Sequence, residues 1–571
     1  MAWTQWLGAI PFEGGTRFRV WAPKADALSV QVVGGPLVAL QREGEGYFAG
    51  VAEGVRAGAR YLYRFADGRE RPDPASLLQP LGVHGPSEVV DLAAVAPRGA
   101  SPRVPLGKLV FCEIHLGTFT AEGTASAAAR HLPELAEALY TAVEVMPVAA
   151  FSGDRGWGYD GVAPFAVQAS YGGPAGLARL VEAAHAAGLS IFLDVVYNHL
   201  GPEGNYLAEF GPYFTAKHKT PWGDALDFSL PQVRRYFVDN ALRWVSAGGF
   251  DGLRLDAVHG IVDDSPRHIL REIAEAVHAE GGLVIAESDL NDPGLIEAQG
   301  LDGSWADDLH HALHVALTGE SQGYYGDFTD PLPKLAAALE RGWFYEGQHK
   351  PSFGRPHGTP AAHLPARHFV VCAQNHDQIG NRARGERLIE LAGPAGARVA
   401  AAVIALQPAL PLYFQGEEWG AREPFLYFTS HGDPQLAEAV RKGRREEFKQ
   451  FAWQGEVPDP QAPETFQRSR IDRRRKDAAL LAWHRALLKL RREHPALQDD
   501  ARAGVRATLQ ERTLLLQRGA LLLAASFGAA GPWSVQLPSG RWRLLLDSAA
   551  ARLDGARLSG EGLHAVVLER A

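Results

Sequence analysis

The sequence predicts an α/β protein: a (β/α)₈ TIM barrel with an N-terminal β-sandwich domain before it and a C-terminal antiparallel β-domain after it. Three observations carry that expectation. Residues 1–92 and 498–571 hold short alternating runs bounded by turn residues. Between residues 106 and 497, eight apolar strand runs recur, with helical patterns between most of them. Polar and charged residues crowd the ends of those runs, where a barrel collects its chemistry. An open doubly wound sheet is the competing arrangement for the same alternation.

Taken in order, "TRFRVWAP", "LSVQVVGG", "GYFAGV" and "ARYLYRFADG" are the strands of the sandwich, and the Pro/Ala-rich 93–105 reads as a linker. The barrel strands are then "LVFCEIHLGTF", "AVEVMPV", "SIFLDVVYNH", "GLRLDAV", "LVIAES", "GSWAD", "FVVCAQNH" and "LPLYFQGEEW". "LARLVEAAHAAG" is a representative intervening helix. It places Leu177, Leu180, Val181 and Ala184 on one face and ends at Gly188. "AALLAWHRALLKLRREH", stopped by Pro495, closes the barrel, and strand texture returns in "RATLQERTLLLQRGALLLAASF".

Composition narrows the function. A chain of 571 residues, 46% hydrophobic and 22% charged, exceeds what one core organises and does not read as disordered. Its 57 basic and 66 acidic residues give a net charge of −9, with both signs interspersed, which argues against a nucleic-acid or membrane-surface partner and suits a neutral substrate. The start "MAWTQWLGAIPFEGG" lacks a basic leader, and "VAAAVIALQPALPLYF" is broken by Gln407, Pro408 and Pro411, so the chain reads as cytoplasmic. Cys112 and Cys372 each fall in a strand run and read as small core hydrophobes rather than metal or disulfide partners.

The strand ends carry the chemistry. In "DGLRLDAVHG", Leu253 and Leu255 alternate with Arg254 and Asp256, so the two charges share one face of one strand. Alone they fit a structural ion pair. Together with Glu287 from the fifth run and Asn375, His376 and Asp377 from the seventh, they fit retaining glycoside hydrolysis, which needs one ionised and one protonated carboxyl about 5–5.5 Å apart. Arg254 favours an ionised Asp256 as nucleophile. Apolar surroundings and neighbouring carboxylates raise the pKa of Glu287, the acid. The third run adds Asp194, read as a supporter, with Tyr197, Asn198 and His199 after it.

Aromatic residues on Gly-rich or long loops can stack on sugar faces: Tyr159 is favoured, Trp222 fits a ligand or a core role equally, and Trp157 reads more as core. No HxH, HExxH, Walker or dinucleotide motif is present. His310, His311 and His314 in "DDLHHALH" read as a solvated helix face rather than metal ligands. His259, Asp224, Asp289 and Glu417 are candidate acceptor-side contacts at strand ends or long loops.

"DVVYNH", "GLRLDAVH", "AES" and "QNHD", in that order and spacing, resemble the four short conserved regions of the α-amylase family, glycoside hydrolase family 13. The N-terminal region resembles the isoamylase-type domain of branching and debranching relatives. "WADDLHHALHVALTGESQGYYGDF", "QNHDQIGNRARGERL" and "GEEWGAREPFLYFTSH" resemble members that act on a glucan capped by trehalose. The resemblance implies hydrolysis of the α-1,4 bond next to the trehalose of malto-oligosyltrehalose, releasing trehalose and a malto-oligosaccharide, with a malto-oligosyltrehalose synthase as pathway partner. It implies Asp256 as nucleophile, Glu287 as acid/base and Asp377 as the third carboxylate. Tyr159, His199, Arg254 and His376 surround the same glucose, and Asp194 and Asn198 match the first region. In many relatives that asparagine helps hold calcium; loop 200–230 offers no convincing further oxygen ligands, so no metal and no cofactor are expected. Relatives with the same carboxylates also branch or transfer glucans, or act as general amylases, and a non-catalytic glucan-binding protein is the reading from another class.

Overall fold

The computed structural model describes residues 3–220, 223–450 and 457–571. Its centre is a closed, all-parallel barrel of eight strands in sequence order. These are β1 (Phe111–Ile114), β2 (Ala142–Val145), β3 (Ser190–Val195), β4 (Gly252–Leu255), β5 (Leu283–Ala286), β6 (Gly303–Trp305), β7 (Phe369–Cys372) and β8 (Leu410–Phe414). Each coincides with one of the eight runs read from the sequence. β8 pairs back onto β1 through Phe111 and Leu412, so closure excludes the open doubly wound alternative.

The period-two alternation of the strands sorts the barrel interior into layers. At the N-terminal ends Leu109, Phe111, Ala142, Phe192, Ile285, Trp305, Val370, Leu410 and Leu412 form an apolar plug. Two residues further along β1 to β4, the same inward parity brings in Glu113, Glu144, Asp194 and Arg254, every one of them buried. One more step along β4 and β5 reaches Asp256 and Glu287 at the rim. The plug keeps water from the floor of the site, which strengthens every charge interaction above it.

Helices wrap the strands as the sequence predicts. Gly173–Ala186 buries Leu177, Leu180, Val181 and Ala184, and Gly188 leaves the helix at a φ of +76°. Ala478–Glu493 closes the barrel. Helix Leu388–Leu406 is long and apolar enough to cross a membrane, but over half of its apolar window is buried, against the closing helix and the C-terminal sheet. Helix Asp307–Thr318 corrects one expectation. Its histidines do not form a solvated face: His310 Nδ1–H donates to the Ala373 carbonyl at 2.8 Å, His314 stacks on Tyr325, and burial pushes His311 down to about 3. The reason is that a turn at Gly323–Phe328 folds over this face and covers the rings.

Before the barrel, two antiparallel sheets face each other across contacts such as Phe18 to Tyr61, 4.8 Å between ring centroids. The predicted linker opens with one helical turn, Leu92–Val95, and then lies on the barrel, with the Arg98 N–H donating to Glu182 at 2.8 Å. After the barrel, a five-stranded and a three-stranded antiparallel sheet enclose Leu515, Leu522, Val535, Leu558 and Val566. Both cysteines are free and buried.

Gly252 shows how tightly the layers are set. A Cβ there would collide with the Phe192 ring and lie 2.7 Å from the Leu283 carbonyl oxygen. Gly252→Ala is therefore expected to destabilise the fold by about 1–3 kcal/mol and, by shifting β4, to lower kcat as well. Urea unfolding and initial rates check it; an unchanged midpoint with an unchanged kcat would contradict this packing.

Candidate active site

Arg254 organises the site. Its side chain is fully buried, and Nη1 donates to both oxygens of Asp194 at 2.8 and 2.9 Å and to Asp256 Oδ1 at 2.8 Å. Nη2 lies 3.6 Å from Glu287 Oε2, and the guanidinium sits 4.4 Å over the Trp305 ring. Arginine stays charged even here, because three carboxylates on β3, β4 and β5 surround it and its pKa lies well above the usual value despite burial.

Asp256 stands one residue past β4, with 12% of its side chain exposed, so it reaches the rim while keeping its partners. The Asn198 Nδ2 amide donates to Asp256 Oδ2 and to the Asp256 carbonyl oxygen, each at 2.7 Å. With Arg254 on Oδ1, both side-chain oxygens of Asp256 receive N–H donors.

Glu287 is set the other way. Burial, reinforced by the charges of Asp256, Asp377 and Asp307 and opposed by Arg254, pushes its pKa up to about 8. Its Oε2 accepts the Ala257 backbone N–H at 2.5 Å, which leaves Oε1 as the oxygen to carry the proton. That N–H is aimed by an unusual backbone: Ala257 sits at φ +39°, ψ +53°, a left-handed conformation that costs an alanine roughly 1–2 kcal/mol. Strain at Ala257, the residue after Asp256, therefore orients Glu287.

The third carboxylate, Asp377, is 39% exposed at the start of the short helix His376–Gly380, capped by Asn375, which accepts the Gln378 N–H at 2.9 Å. His376 Nε2 lies 3.6 Å from Asp377 Oδ1. Tyr159 stacks on His376, 5.2 Å between centroids, and its hydroxyl donates to Asp194 at 2.6 Å. His199 lies beside the Asn198 amide, with Nε2 2.9 Å from the Tyr159 carbonyl oxygen. Asp194 is pushed up to about 6 by burial against the pull of Arg254, and it supports rather than faces the rim.

The acceptor-side candidates separate. His259 and Asp289 approach each other at 3.6 Å after β4 and β5, beside a cavity of about 300 Å³ lined by His259, Ile261, His268, Ser288 and Leu290. Asp224 lies on the hairpin Phe214–Thr220 and Gly223–Leu226, paired with Lys219. Glu417 turns inward instead: its carboxylate accepts the Phe414 N–H at 3.1 Å and lines a small internal space with Leu388, Leu480 and His484. Burial there raises its pKa to about 8. Trp222 falls outside the described residues. Trp157 is core, stacked on Phe425 and donating to the Leu426 carbonyl at 2.9 Å.

Three acids escaped the sequence reading. Glu113 and Glu144 sit in β1 and β2 at the inward parity shared with Asp194 and Arg254, and that parity, applied to "FCEIH" and "AVEVM", was the signal that could have found them. Asp307 follows β6, and burial with Asp377 nearby pushes it up to about 7. Among the described residues no group of three or more His, Cys, Asp or Glu is placed to hold a metal ion.

Comparison with known proteins follows the geometry. Residues 65–222 match the α-amylase catalytic domain model. The malto-oligosyltrehalose trehalohydrolase of Deinococcus radiodurans is 46% identical over 87% of this chain and 84% of its own length. That of Rhizobium sp. strain M-11 is 43% identical over 98% of both chains. A crystal structure described as an α-amylase from Salmonella typhimurium superposes with a TM-score of 0.92 at 38% identity over the full length of both chains.

With Glu287 at about 8, its proton is present through neutrality and lost above it. kcat is expected to fall as pH rises through about 8. Folding stability should decline over the interval from the ordinary carboxyl value to the same point, because the unfolded chain gives up this proton near 4.5. A pH–rate series on wild type and Glu287→Gln tests it, since the variant should lose both most of its activity and that alkaline limb; a limb that survives in the variant belongs to another group.

Proposed function

We propose that this chain, which belongs to the malto-oligosyltrehalose trehalohydrolases within the α-amylase family, hydrolyses malto-oligosyltrehalose with retention, using Asp256 as nucleophile and Glu287 as acid/base. The observation that carries the residue assignment is one guanidinium flanked by two differently bonded carboxyls: Asp256 with N–H donors on both oxygens, Glu287 with one short N–H contact and a raised pKa.

The bond cleaved is the α-1,4 linkage to the trehalose cap. Glu287 Oε1–H protonates the glycosidic oxygen as a carboxylate oxygen of Asp256 forms a bond to the anomeric carbon, and trehalose departs. Glu287, now ionised, takes a proton from water as that water displaces Asp256. The malto-oligosaccharide leaves and both groups return to their starting states. Proton and charge stay balanced, since Arg254 contacts Asp256 and lies beside Glu287 in both steps. Asp377, partly exposed beside the cationic His376, is placed to grip sugar hydroxyls as the ring flattens, with Tyr159 and His199 completing the wall.

The same reading assigns residues 1–92 to an isoamylase-type sandwich, 93–105 to a linker, 106–497 to the catalytic barrel and 498–571 to the C-terminal β-domain. It places His259 and Asp289 on the trehalose side, where the 300 Å³ cavity supports a further sugar unit. A cytoplasmic setting suits the two free cysteines, and a malto-oligosyltrehalose synthase would supply the substrate.

Asp256→Asn is expected to lower kcat by about 10³-fold or more with folding retained, because the group it removes bonds carbon only in the reaction. Incubation of wild type with malto-oligosyltrehalose and with the plain malto-oligosaccharide of equal length, followed by chromatography, tests the substrate. Rapid trehalose release from the first and slow cleavage of the second is the expected pattern. Equal cleavage of both would indicate a general amylase, and longer or branched products a transferase.

A further inference from the structure

Glu113 takes no part in the chemistry above, yet it grips one residue of the site at two points. From β1, and 1% exposed, it accepts the His376 backbone N–H on Oε2 at 2.9 Å and faces the His376 Nδ1 with Oε1. On the other side of the ring, His376 Nε2 lies 2.8 Å from the Tyr159 hydroxyl, whose own proton goes to Asp194 Oδ2 at 2.6 Å. A hydroxyl that donates to a carboxylate can only accept from the imidazole, so Nε2 must carry a proton. Nδ1 faces Glu113 Oε1, so the ring is an imidazolium when Glu113 is ionised.

The neighbour of Glu113 explains how that charge is kept. Glu144, directly across from it in the β1–β2 register, is buried, and neither of its carboxyl oxygens has a hydrogen-bond partner among the described residues. Two adjacent buried carboxyls do not both ionise at neutral pH. Glu113 has two N–H donors and Glu144 has none, so the pair's negative charge falls on Glu113 and the proton on Glu144, whose pKa burial and the Glu113 charge raise well above the usual range.

We propose that Glu113 is a positioning residue for the proposed reaction: it holds His376 as a doubly protonated cation, which fixes Tyr159 through Nε2 and sets a positive charge beside Asp377. The groups facing His376 are Glu113 and His115 from the β1 segment, Glu144 from β2, Tyr159 from the loop after β2, Asp194 from β3, Arg254 from β4 and Asp377 on its own helix. Arg254 and burial oppose the charge; Glu113 and Asp377 outweigh them and bring His376 up to about 9. In the wild type His376 therefore keeps its second proton through neutrality, as Glu287 keeps its own. The inference rests on the proposed carboxylate roles for its kinetic consequence but not for the state of the ring.

The test pairs a titration with kinetics on the full chain. In ¹⁵N-histidine-labelled enzyme, with His376→Gln used for assignment, both His376 ring nitrogens should be protonated at pH 7, and in Glu113→Gln the ring should be neutral there. Glu113→Gln should lower kcat by about tenfold or more with KM within about threefold, and should move the alkaline limb down by about one pH unit, since the ring now deprotonates before Glu287. In a His376→Gln background the same change should cost less than about twofold, because its target is gone. A neutral His376 in the wild type overturns the proposal, as does an unmoved alkaline limb or a loss that multiplies in the double variant. Should Glu113→Gln not fold, the wild-type titration still decides. Failure of wild type to release trehalose would strike the functional reading and leave the titration result standing.

Discussion

A buried arginine that cannot give up its charge is the constraint on which the barrel's upper half depends. Once Arg254 sits at the centre of a closed sheet above an apolar plug, it needs negative partners from the strands on either side. Removing one such partner typically costs about 3–5 kcal/mol, because a buried charge is left uncompensated. Asp194 and Asp256 therefore converge on it for reasons of stability before any reaction is considered, and Glu287, which holds its proton through neutrality, is the third carboxyl beside it. Chemistry uses a cluster that electrostatics already requires.

What distinguishes the two rim carboxyls of that cluster is their hydrogen bonding and the backbone between them. Asp256 stands one residue past β4, where the Asn198 amide and Arg254 occupy both its oxygens. Glu287 stands one residue past β5 with a single short bond from the Ala257 N–H, and its pKa is raised to about 8. The left-handed Ala257 joins the two, since the residue that follows Asp256 aims its amide at Glu287. Local strain of roughly 1–2 kcal/mol is a small cost against the position it secures.

A second charge system mirrors the first on the opposite side of the barrel. Glu113, His376, Tyr159 and Asp194 form a hydrogen-bonded chain from β1 across the site to Arg254. It ties the seventh strand end and the Gly-rich loop after β2 to the same central guanidinium. The groups proposed to act on the sugar are thus tied to one guanidinium on β4, whereas His259, Asp289 and the hairpin bearing Asp224 belong to connections outside the barrel. A shared reaction centre with variable surroundings is what a family of related glucan enzymes needs.

All eight barrel strands, the closing helix, the flanking β-domains and the residues around Arg254 were legible because each rests on local information: a period of two, a period of 3.6, or a polar group at a strand's end. Motif spacing added the roles proposed for Asp256, Glu287 and Asp377. Glu113 and Glu144 were passed over because a lone acid in an apolar run gives no sign of its partner, which comes from β7 in one case and is missing in the other. The histidines of helix Asp307–Thr318 looked exposed because their pattern is polar; only the packing of a neighbouring segment over them buries them. The sequence by itself determined which residues face inward and in what order they reach the rim. Which of those residues holds a proton, which carries charge, and which side chain each one grips were decided by barrel closure, because those properties depend on contacts between strands far apart in the chain.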